Sequence, residues 1–155
     1  MNKLFEAYVT RIAQKTLRPL GFSVWSQKPQ RALVRDKAGR KAFITKPDIY
    51  IEGHGRVIII DTKWKSLDYS KGNDGISQAD AYQMHGYARV YNADSTILLY
   101  PKVSYQQGEL ASWIFENSKT DLQLASLDVL DEVGMKNILS SLVESKHQIS
   151  IHGSL

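Results

Sequence analysis

An aliphatic run that ends in charged residues constrains the fold of this chain more than any other feature. Residues 57–60 are all aliphatic and are followed at once by Asp61, Thr62 and Lys63. A buried strand rarely carries charge without a role, because an unpaired buried charge costs on the order of several kcal/mol. Since residues i and i+2 of a strand share a face, we expect Asp61 and Lys63 to project together and Thr62 to point the other way.

A second apolar stretch lies just upstream and carries an acidic residue of its own. Residues 44–51 contain Pro47 and Asp48, thirteen positions before Asp61, and the Gly-His-Gly sequence at residues 53–55 separates the two stretches. A short glycine-containing loop between two strands is typical of an antiparallel hairpin. This predicted turn at residues 53–55 is expected to bring Asp48 close to Asp61.

Hydrophobic periodicity predicts the remaining elements, with Pro19 and Gly21 ending the first helix and Ser77 as the N-cap of the second. The resulting order of helices and strands is typical of an α/β fold in which helices flank a central mixed β-sheet. Residues 1–155 are expected to form a single domain. The predicted helices cover residues 4–17, 77–91 and 129–143, and the predicted strands cover residues 22–26, 31–35, 41–52, 56–64, 96–100, 112–115 and 122–125.

Composition narrows the chemistry and the compartment. The chain has no cysteine, which excludes disulfides, thiolate nucleophiles and Cys-ligated metals, so any metal must be bound by oxygen or histidine. No signal-peptide-like segment is evident, and no stretch approaches the ~20 apolar residues that a membrane span requires. We expect a cytoplasmic protein that does not associate with membranes.

Basic residues are concentrated in the first third of the chain. Residues 1–46 contain eleven Lys or Arg against two acidic residues, a net charge of +9, whereas residues 47–155 contain nine against fourteen, a net charge of −5. A basic block of this kind suits contact with the phosphates of DNA, and a solvated surface is the alternative. Candidate DNA contacts are Arg40, Lys46, Lys65, Lys71 and Tyr87.

The charged ends of the two strands have the composition of a hard-cation site. Two carboxylates, Asp48 and Asp61, together with retained waters and phosphate oxygens, match what Mg²⁺ prefers. Lys63 beside them would orient a nucleophilic water or stabilise a charged transition state, so the set indicates hydrolysis of phosphodiesters. The alternative is structural, with Asp61 and Lys63 forming an ion pair at a strand end and Asp48 capping a turn.

Polar residues on the two helices extend this candidate site. Glu6 flanks the apolar side of the first helix and can supply a third carboxylate, or it can serve only the helix dipole. Gln83 and Tyr87 are adjacent on the apolar face of the second helix and can reach the site together, or they can hydrogen-bond within the core. Asp80 near the start of that helix is equally consistent with dipole compensation.

Taken together, these residues resemble the PD-(D/E)XK nuclease superfamily, and in particular the nuclease subunit of McrBC-type modification-dependent restriction systems. The resemblance extends over most of the chain, and Gln83 and Tyr87 also match the Q-x-x-x-Y element of RecB-like relatives. It rests on the combination of Leu4-Phe5-Glu6, Pro47-Asp48, Asp61-Thr62-Lys63 with Lys65, and Asp80 with Tyr82-Gln83-Met84 and Tyr87.

The resemblance implies a restriction-endonuclease-like core and Mg²⁺-dependent cleavage of double-stranded DNA, with Mn²⁺ as a substitute. It implies that Asp48, Asp61 and Lys63 are catalytic, with Gln83 in support. Glu6 and the backbone carbonyl of Thr62 are implied as further metal ligands.

The resemblance also implies a partner, a separate McrB-type AAA+ GTPase that recognises modified DNA and stimulates the nuclease. The chain has no G-x-x-x-x-G-K-[ST] phosphate loop of its own. McrBC nuclease subunits usually carry a substantial region before the catalytic helix, which begins here at residue 4, so the chain is expected to be an isolated catalytic domain or a stand-alone relative. A non-cleaving DNA-binding module of the same fold and a junction resolvase are the alternative functions.

Overall fold

In the part of the chain that the structure describes, three α-helices pack on a central β-sheet. The structure is a computed structural model that describes residues 2–65, 67, 72–102 and 108–152. Helix α1 spans Asn2–Leu17, α2 spans Gln78–Val90 and α3 spans Glu132–His152. One turn of 3₁₀ helix, Arg18–Leu20, follows α1 and ends at Gly21, whose φ of 94° lies in the left-handed region that glycine adopts without strain.

Within the described residues, eight strands form two sheets. The central sheet has six strands in the order β1-β4-β5-β6-β8-β7, and β2 and β3 form a separate two-stranded sheet. The strands β5, β6 and β8 run parallel, whereas β1, β4 and β7 pair antiparallel with their neighbours. The strands are β1 Ser23–Ser26, β2 Arg31–Arg35, β3 Lys41–Thr45, β4 Ile49–Gly53, β5 Arg56–Thr62, β6 Ser95–Pro101, β7 Gly108–Ile114 and β8 Asp121–Leu127.

The sheet lies between two apolar layers. Alternate residues of β5 enter different layers, because successive side chains of a strand point to opposite faces. Ile58 and Ile60 pack in the layer shared with α1 and α3, whereas Ile59 packs in the layer shared with α2. This three-layer arrangement, with a mixed six-stranded sheet between helices, confirms the predicted α/β fold and is consistent with a restriction-endonuclease-like core.

Most of the predicted elements are present, and one is wrong. The expected long strand over residues 41–52 is two strands in different sheets, because the chain leaves β3 after Thr45 and enters β4 at Ile49. Pro47 lies in this break, where its missing N–H removes a donor that a continuous ladder would need. The last helix also begins at Glu132, three residues later than expected, and continues beyond residue 143.

Ser77 is the N-cap of α2, as predicted, because its hydroxyl accepts a hydrogen bond from the Asp80 N–H at 3.1 Å. None of the helices in the described parts of the chain combines the length and the apolar character needed to cross a membrane.

Candidate active site

Asp61 and Lys63 lie together at the carboxyl end of β5, on the face of the sheet that α2 covers. Their side chains form an ion pair with 2.7 Å between the Lys63 Nζ and the Asp61 Oδ2. Asp61 is almost fully buried, with 3% of its surface exposed. Burial first, and then the nearby Asp48 charge, raise the pKa of Asp61 to about 7. Burial of a carboxylate with a raised pKa destabilises the folded protein, and such carboxylates are typical of functional sites.

Asp48 immediately precedes β4, which pairs with β5, and it lies beside the end of β5, as predicted from the loop at residues 53–55. Its Oδ2 accepts hydrogen bonds from the Thr62 backbone N–H at 2.9 Å and from the Thr62 hydroxyl at 3.0 Å. Thr62 therefore orients the second carboxylate through both of its donors. The backbone carbonyl of Thr62 as a metal ligand stays a prediction.

Glu6 reaches this site through Gln27, which no sequence motif indicates. The Gln27 amide nitrogen donates to Glu6 Oε1 at 2.5 Å and lies 3.3 Å from Asp48 Oδ1, so one amide bridges two carboxylates. Burial raises the pKa of Glu6, the Gln27 hydrogen bond opposes this, and the Asp48 charge adds to the rise. Gln27 follows β1, which pairs with β4, and only this pairing indicates that it lies beside Asp48.

Gln83 and Tyr87 on α2 contact the site as a connected pair. The Lys63 ammonium donates to Gln83 Oε1 at 3.0 Å, and the Gln83 amide donates to the Tyr87 hydroxyl at 3.2 Å. The Tyr87 hydroxyl in turn donates to the backbone carbonyl of Lys46 at 3.2 Å. This chain of contacts ties the lysine to the segment that leads into Asp48.

Asp80 has a more specific place than dipole compensation. It is buried, its Oδ1 lies 3.5 Å from the Lys63 Nζ, and its Oδ2 lies 2.7 Å from the Lys65 Nζ. Burial alone would lower the pKa of Lys63, but the hydrogen bond and charge of Asp61, followed by the charge of Asp80, raise it above its ordinary value. Lys63 is therefore held as a cation between two carboxylates, and Lys65 is turned toward Asp80.

These side chains line one open cleft of about 600 Å³. Below, "the cleft" means this cavity, which is bounded by β5, by α2 and by the segment from β2 to Asp48. Its lining residues are Gln27, Leu33, Phe43, Ile44, Thr45, Lys46, Asp48, Asp61, Thr62, Lys63, Tyr82, Gln83, Gly86 and Tyr87. The predicted site residues of both strands and of α2 therefore share one solvent-accessible space.

The carboxylates fit a divalent cation as a pair and not as a cage. Among residues 2–65, 67, 72–102 and 108–152, no group of three or more His, Cys, Asp or Glu side chains is arranged to hold a metal ion. Glu6 extends from α1, in the helix layer opposite α2, and its carboxyl group interacts with Asp48 as well as with the Gln27 amide. Mg²⁺ requires only one or two carboxylates, with waters and phosphate oxygens completing its shell. Burial is the larger cause of the raised pKa of Asp61 and the Asp48 charge is the second, and a cation held by these two carboxylates would relieve the repulsion from Asp48.

Of the predicted DNA contacts, Arg40 does not line the cleft, and one other is outside the described residues. Arg40 is at the exposed turn between β2 and β3, where its Nε lies 2.8 Å from the Asp36 Oδ2. Lys71 lies outside the described residues.

Comparison with known proteins identifies the family of the chain. A family model described as "McrBC 5-methylcytosine restriction system component" matches residues 1–101. The match runs from α1 to the end of β6 and includes every residue of the predicted site. The chain belongs to the McrBC family. It is thus a component of a restriction system, and the part of this McrBC-family chain that follows β6, including β7, β8 and α3, lies beyond the match.

Structural comparison gives a weaker likeness. The fold is similar to that of a solved protein described as SSO0001, with a TM-score of 0.48 and 12% sequence identity over 92% of this chain. The chain spans 57% of the length of that protein. No curated protein matches the McrBC-family chain significantly.

Proposed function

We propose that this McrBC-family protein is a Mg²⁺-dependent DNA endonuclease, the cleavage component of a modification-dependent restriction system. The observation that carries the proposal is the meeting of Asp48, Asp61 and Lys63 in one open cleft. Its support is physical, because a buried Asp61 carboxylate beside the half-buried Asp48 and a fixed ammonium is costly for a fold that does not use it. Membership of the McrBC family supplies the biological setting.

Each residue of the proposed centre has a defined task. Asp48 and Asp61 would hold Mg²⁺, which when bound polarises a phosphodiester and lowers the pKa of a bound water. Lys63 donates from a fixed position to the charge that develops on the phosphoryl oxygens, and Gln83 accepts from its ammonium and thereby orients it. Gln27 keeps Asp48 and Glu6 together, so Glu6 acts as a supporting carboxylate.

The partner follows from the kind of system to which the family belongs. A restriction-system component whose own cleft holds only the cleavage chemistry needs recognition and control from elsewhere. We therefore include in the proposal a McrB-type AAA+ GTPase that selects DNA containing 5-methylcytosine and delivers it to this chain. DNA carrying the modification is the proposed substrate of the assembly.

Cleavage of plasmid DNA tests the proposal directly. Wild-type protein, with and without a candidate GTPase partner, is incubated with methylated and unmethylated plasmid in Mg²⁺ or in chelator. We expect Mg²⁺-dependent cutting that falls at least about 100-fold in Asp61→Ala and Lys63→Ala variants. The control Lys136→Ala removes a surface lysine that pairs only with Glu132 among the described ion pairs, and it should cut at the wild-type rate.

The result that overturns the proposal is equally clear. Asp61→Ala or Lys63→Ala protein that keeps the wild-type circular dichroism spectrum and still cuts at the wild-type rate removes its basis. DNA binding without cleavage at any metal concentration, even with the GTPase partner present, would instead favour a non-cleaving module.

A further inference from the structure

The two-stranded sheet formed by β2 and β3 is called the hairpin below. It exposes apolar side chains that do not contribute to the buried core. Phe43 is 75% exposed, and Leu33 and Ile44 are each about half exposed. All three line the cleft beside Asp48 and Asp61. An exposed apolar cluster on a small protein usually marks an interaction site.

The backbone of Phe43 adds a second, independent observation. Its φ is 55°, in the left-handed region that bulky residues rarely occupy. Such a residue persists where its surroundings fix it, and strain of this kind is concentrated at functional sites. The hairpin therefore presents an aromatic ring to solvent in a conformation that neither core packing nor strand propensity favours.

The base of the hairpin is held firmly to the end of α2. The Tyr91 hydroxyl lies 2.9 Å from the Thr45 hydroxyl, and the Arg31 guanidinium lies over the Tyr91 ring at 4.9 Å from its centroid. Gln27 and Asp48 join the two chain segments that flank the hairpin, because the Gln27 N–H donates to the Asp48 carbonyl at 3.2 Å. The hairpin is consequently rooted in the same two residues, Gln27 and Asp48, that form one wall of the candidate active site.

Charge indicates what the hairpin would contact. Its turn and flanking residues, 35–41, contain Arg35, Lys37, Arg40 and Lys41 against Asp36 alone, and every side chain of these charged residues is exposed. A basic end next to an apolar ridge suits a nucleic acid, with phosphates at the charged residues and bases or sugars at the ridge. A protein partner seated on Phe43 would instead close the cleft that the substrate must enter.

We infer that the hairpin is a DNA wedge, in which Phe43 inserts between or against bases next to the scissile phosphodiester while the basic turn holds the flanking backbone. The inference rests on the proposed function for the nature of the substrate. It adds a residue and an action that cleavage chemistry alone does not require, namely local unstacking of the duplex at the cut site. Because the hairpin is rooted at Asp48, the wedge would fix the distance from the unstacked step to the carboxylates.

Substitution of Phe43 tests the wedge without disturbing the carboxylates. The full chain and its Phe43→Gly, Phe43→Trp and Ile114→Ala variants are compared by thermal melting and by fluorescence anisotropy with a duplex of about 20 base pairs in EDTA. 2-Aminopurine in the duplex reports unstacking. Ile114 is the matched control, since it is 71% exposed and lies on the edge strand β7, outside the residues that line the cleft.

Phe43→Gly should melt at or above the wild-type temperature, because glycine adopts a positive φ without strain. Its affinity for the duplex should fall by about 10-fold or more, because the variant lacks the aromatic ring that stacks on a base. The 2-aminopurine signal that rises with wild-type protein should be absent. Phe43→Trp and Ile114→Ala should retain affinity within about threefold, in keeping with a retained aromatic ring and a distant site.

The outcomes separate this inference from the proposed function. Wild-type affinity and unstacking in Phe43→Gly overturn the wedge, even where Asp61→Ala abolishes cleavage and the nuclease proposal stands. Binding and unstacking that depend on Phe43 support the wedge, even where no plasmid cleavage is found and the nuclease proposal fails. Failure of the wild-type chain to bind the duplex overturns the wedge.

Discussion

At the scale of single residues, Asp61 is expected to make the metal-free protein less stable as pH rises. Its folded pKa of about 7 lies above the ordinary value of 3.8, so the folded state binds the proton more tightly than the unfolded state does. The contribution to the free energy of unfolding is present below about pH 4 and is lost as pH rises to about 7. The groups that act on Asp61 are Asp48, which raises its pKa, and Lys63, which lowers it.

Asp61→Asn should therefore gain stability relative to wild type between pH 5 and pH 8 in EDTA, by an amount on the order of a few kcal/mol at most. Thermal melts at the two pH values measure the difference. Added Mg²⁺ should raise the melting temperature of the wild-type protein at pH 8 and leave that of Asp61→Asn almost unchanged. An equal difference between the two proteins at both pH values would contradict the assignment.

Gln27 is expected to act as a positioning residue for the carboxylates. Gln27→Ala removes the amide that bridges Glu6 and Asp48, and residues that orient metal ligands in this way typically contribute about 10-fold to 100-fold to metal affinity or activity. The readout is the Mg²⁺ concentration for half-maximal cleavage, which should rise. Gln14→Ala is the control, since Gln14 contacts only the Val24 carbonyl at 3.4 Å among the described hydrogen bonds. A lower rate with an unchanged Mg²⁺ requirement would count against this role.

At the scale of elements, two glycines predict opposite effects of the same substitution. Gly53 ends β4, and a Cβ there would lie 2.7 Å from Phe22 Cδ1 and 3.0 Å from the Gly21 carbonyl oxygen. Gly86 lies inside α2, where a Cβ would meet only Leu33 Cδ1 at 4.0 Å. Gly53→Ala should destabilise the protein by about 1–3 kcal/mol through overpacking, whereas Gly86→Ala should stabilise it by about 0.5–1 kcal/mol through helix propensity.

Urea unfolding of the two variants measures both effects in one experiment. Each serves as the control for the other, because the atoms added are identical and only the surroundings differ. A loss of stability in Gly86→Ala would show that Leu33 cannot accommodate the methyl group and that the hairpin packs on α2 more tightly than the contact distance indicates.

At the scale of the whole molecule, the uneven charge of the chain predicts how DNA binding responds to salt. The hairpin supplies Lys37 and Lys41 from the basic first third, and removing one lysine that binds a phosphate should reduce the slope of log K against log salt by about 0.9. The double variant Lys37→Ala, Lys41→Ala should bind more weakly and with a slope smaller by about 2. Lys136→Ala, in the more acidic remainder of the chain, should leave the slope unchanged.

Anisotropy titrations between about 50 and 200 mM salt supply the slopes. The measurement is made in EDTA so that cleavage does not intervene. A slope that the double variant does not alter would place the phosphate-binding residues elsewhere on the chain.

Sequence alone determined the local features of this protein. The aliphatic run before Asp61, the glycine loop after β4 and the Ser77 cap depend on neighbouring residues, so periodicity and turn chemistry were sufficient to place two carboxylates and a lysine at adjoining strand ends. The pairing of Asp61 with Lys63 followed from the alternation of side chains along a strand.

Tertiary structure decided what depends on contacts distant in sequence. Gln27 reaches Asp48 only because β1 pairs with β4, and Asp80 reaches Lys63 only because α2 packs on the face of β5 that carries it. The long strand predicted through Pro47 is divided between two sheets for the same reason, since periodicity records which residues are apolar and not which strand they pair with. The two strands of the hairpin and the charged strand ends were therefore predictable from the sequence, whereas the separation of the hairpin from the central sheet and the exposure of Phe43 were decided by the fold.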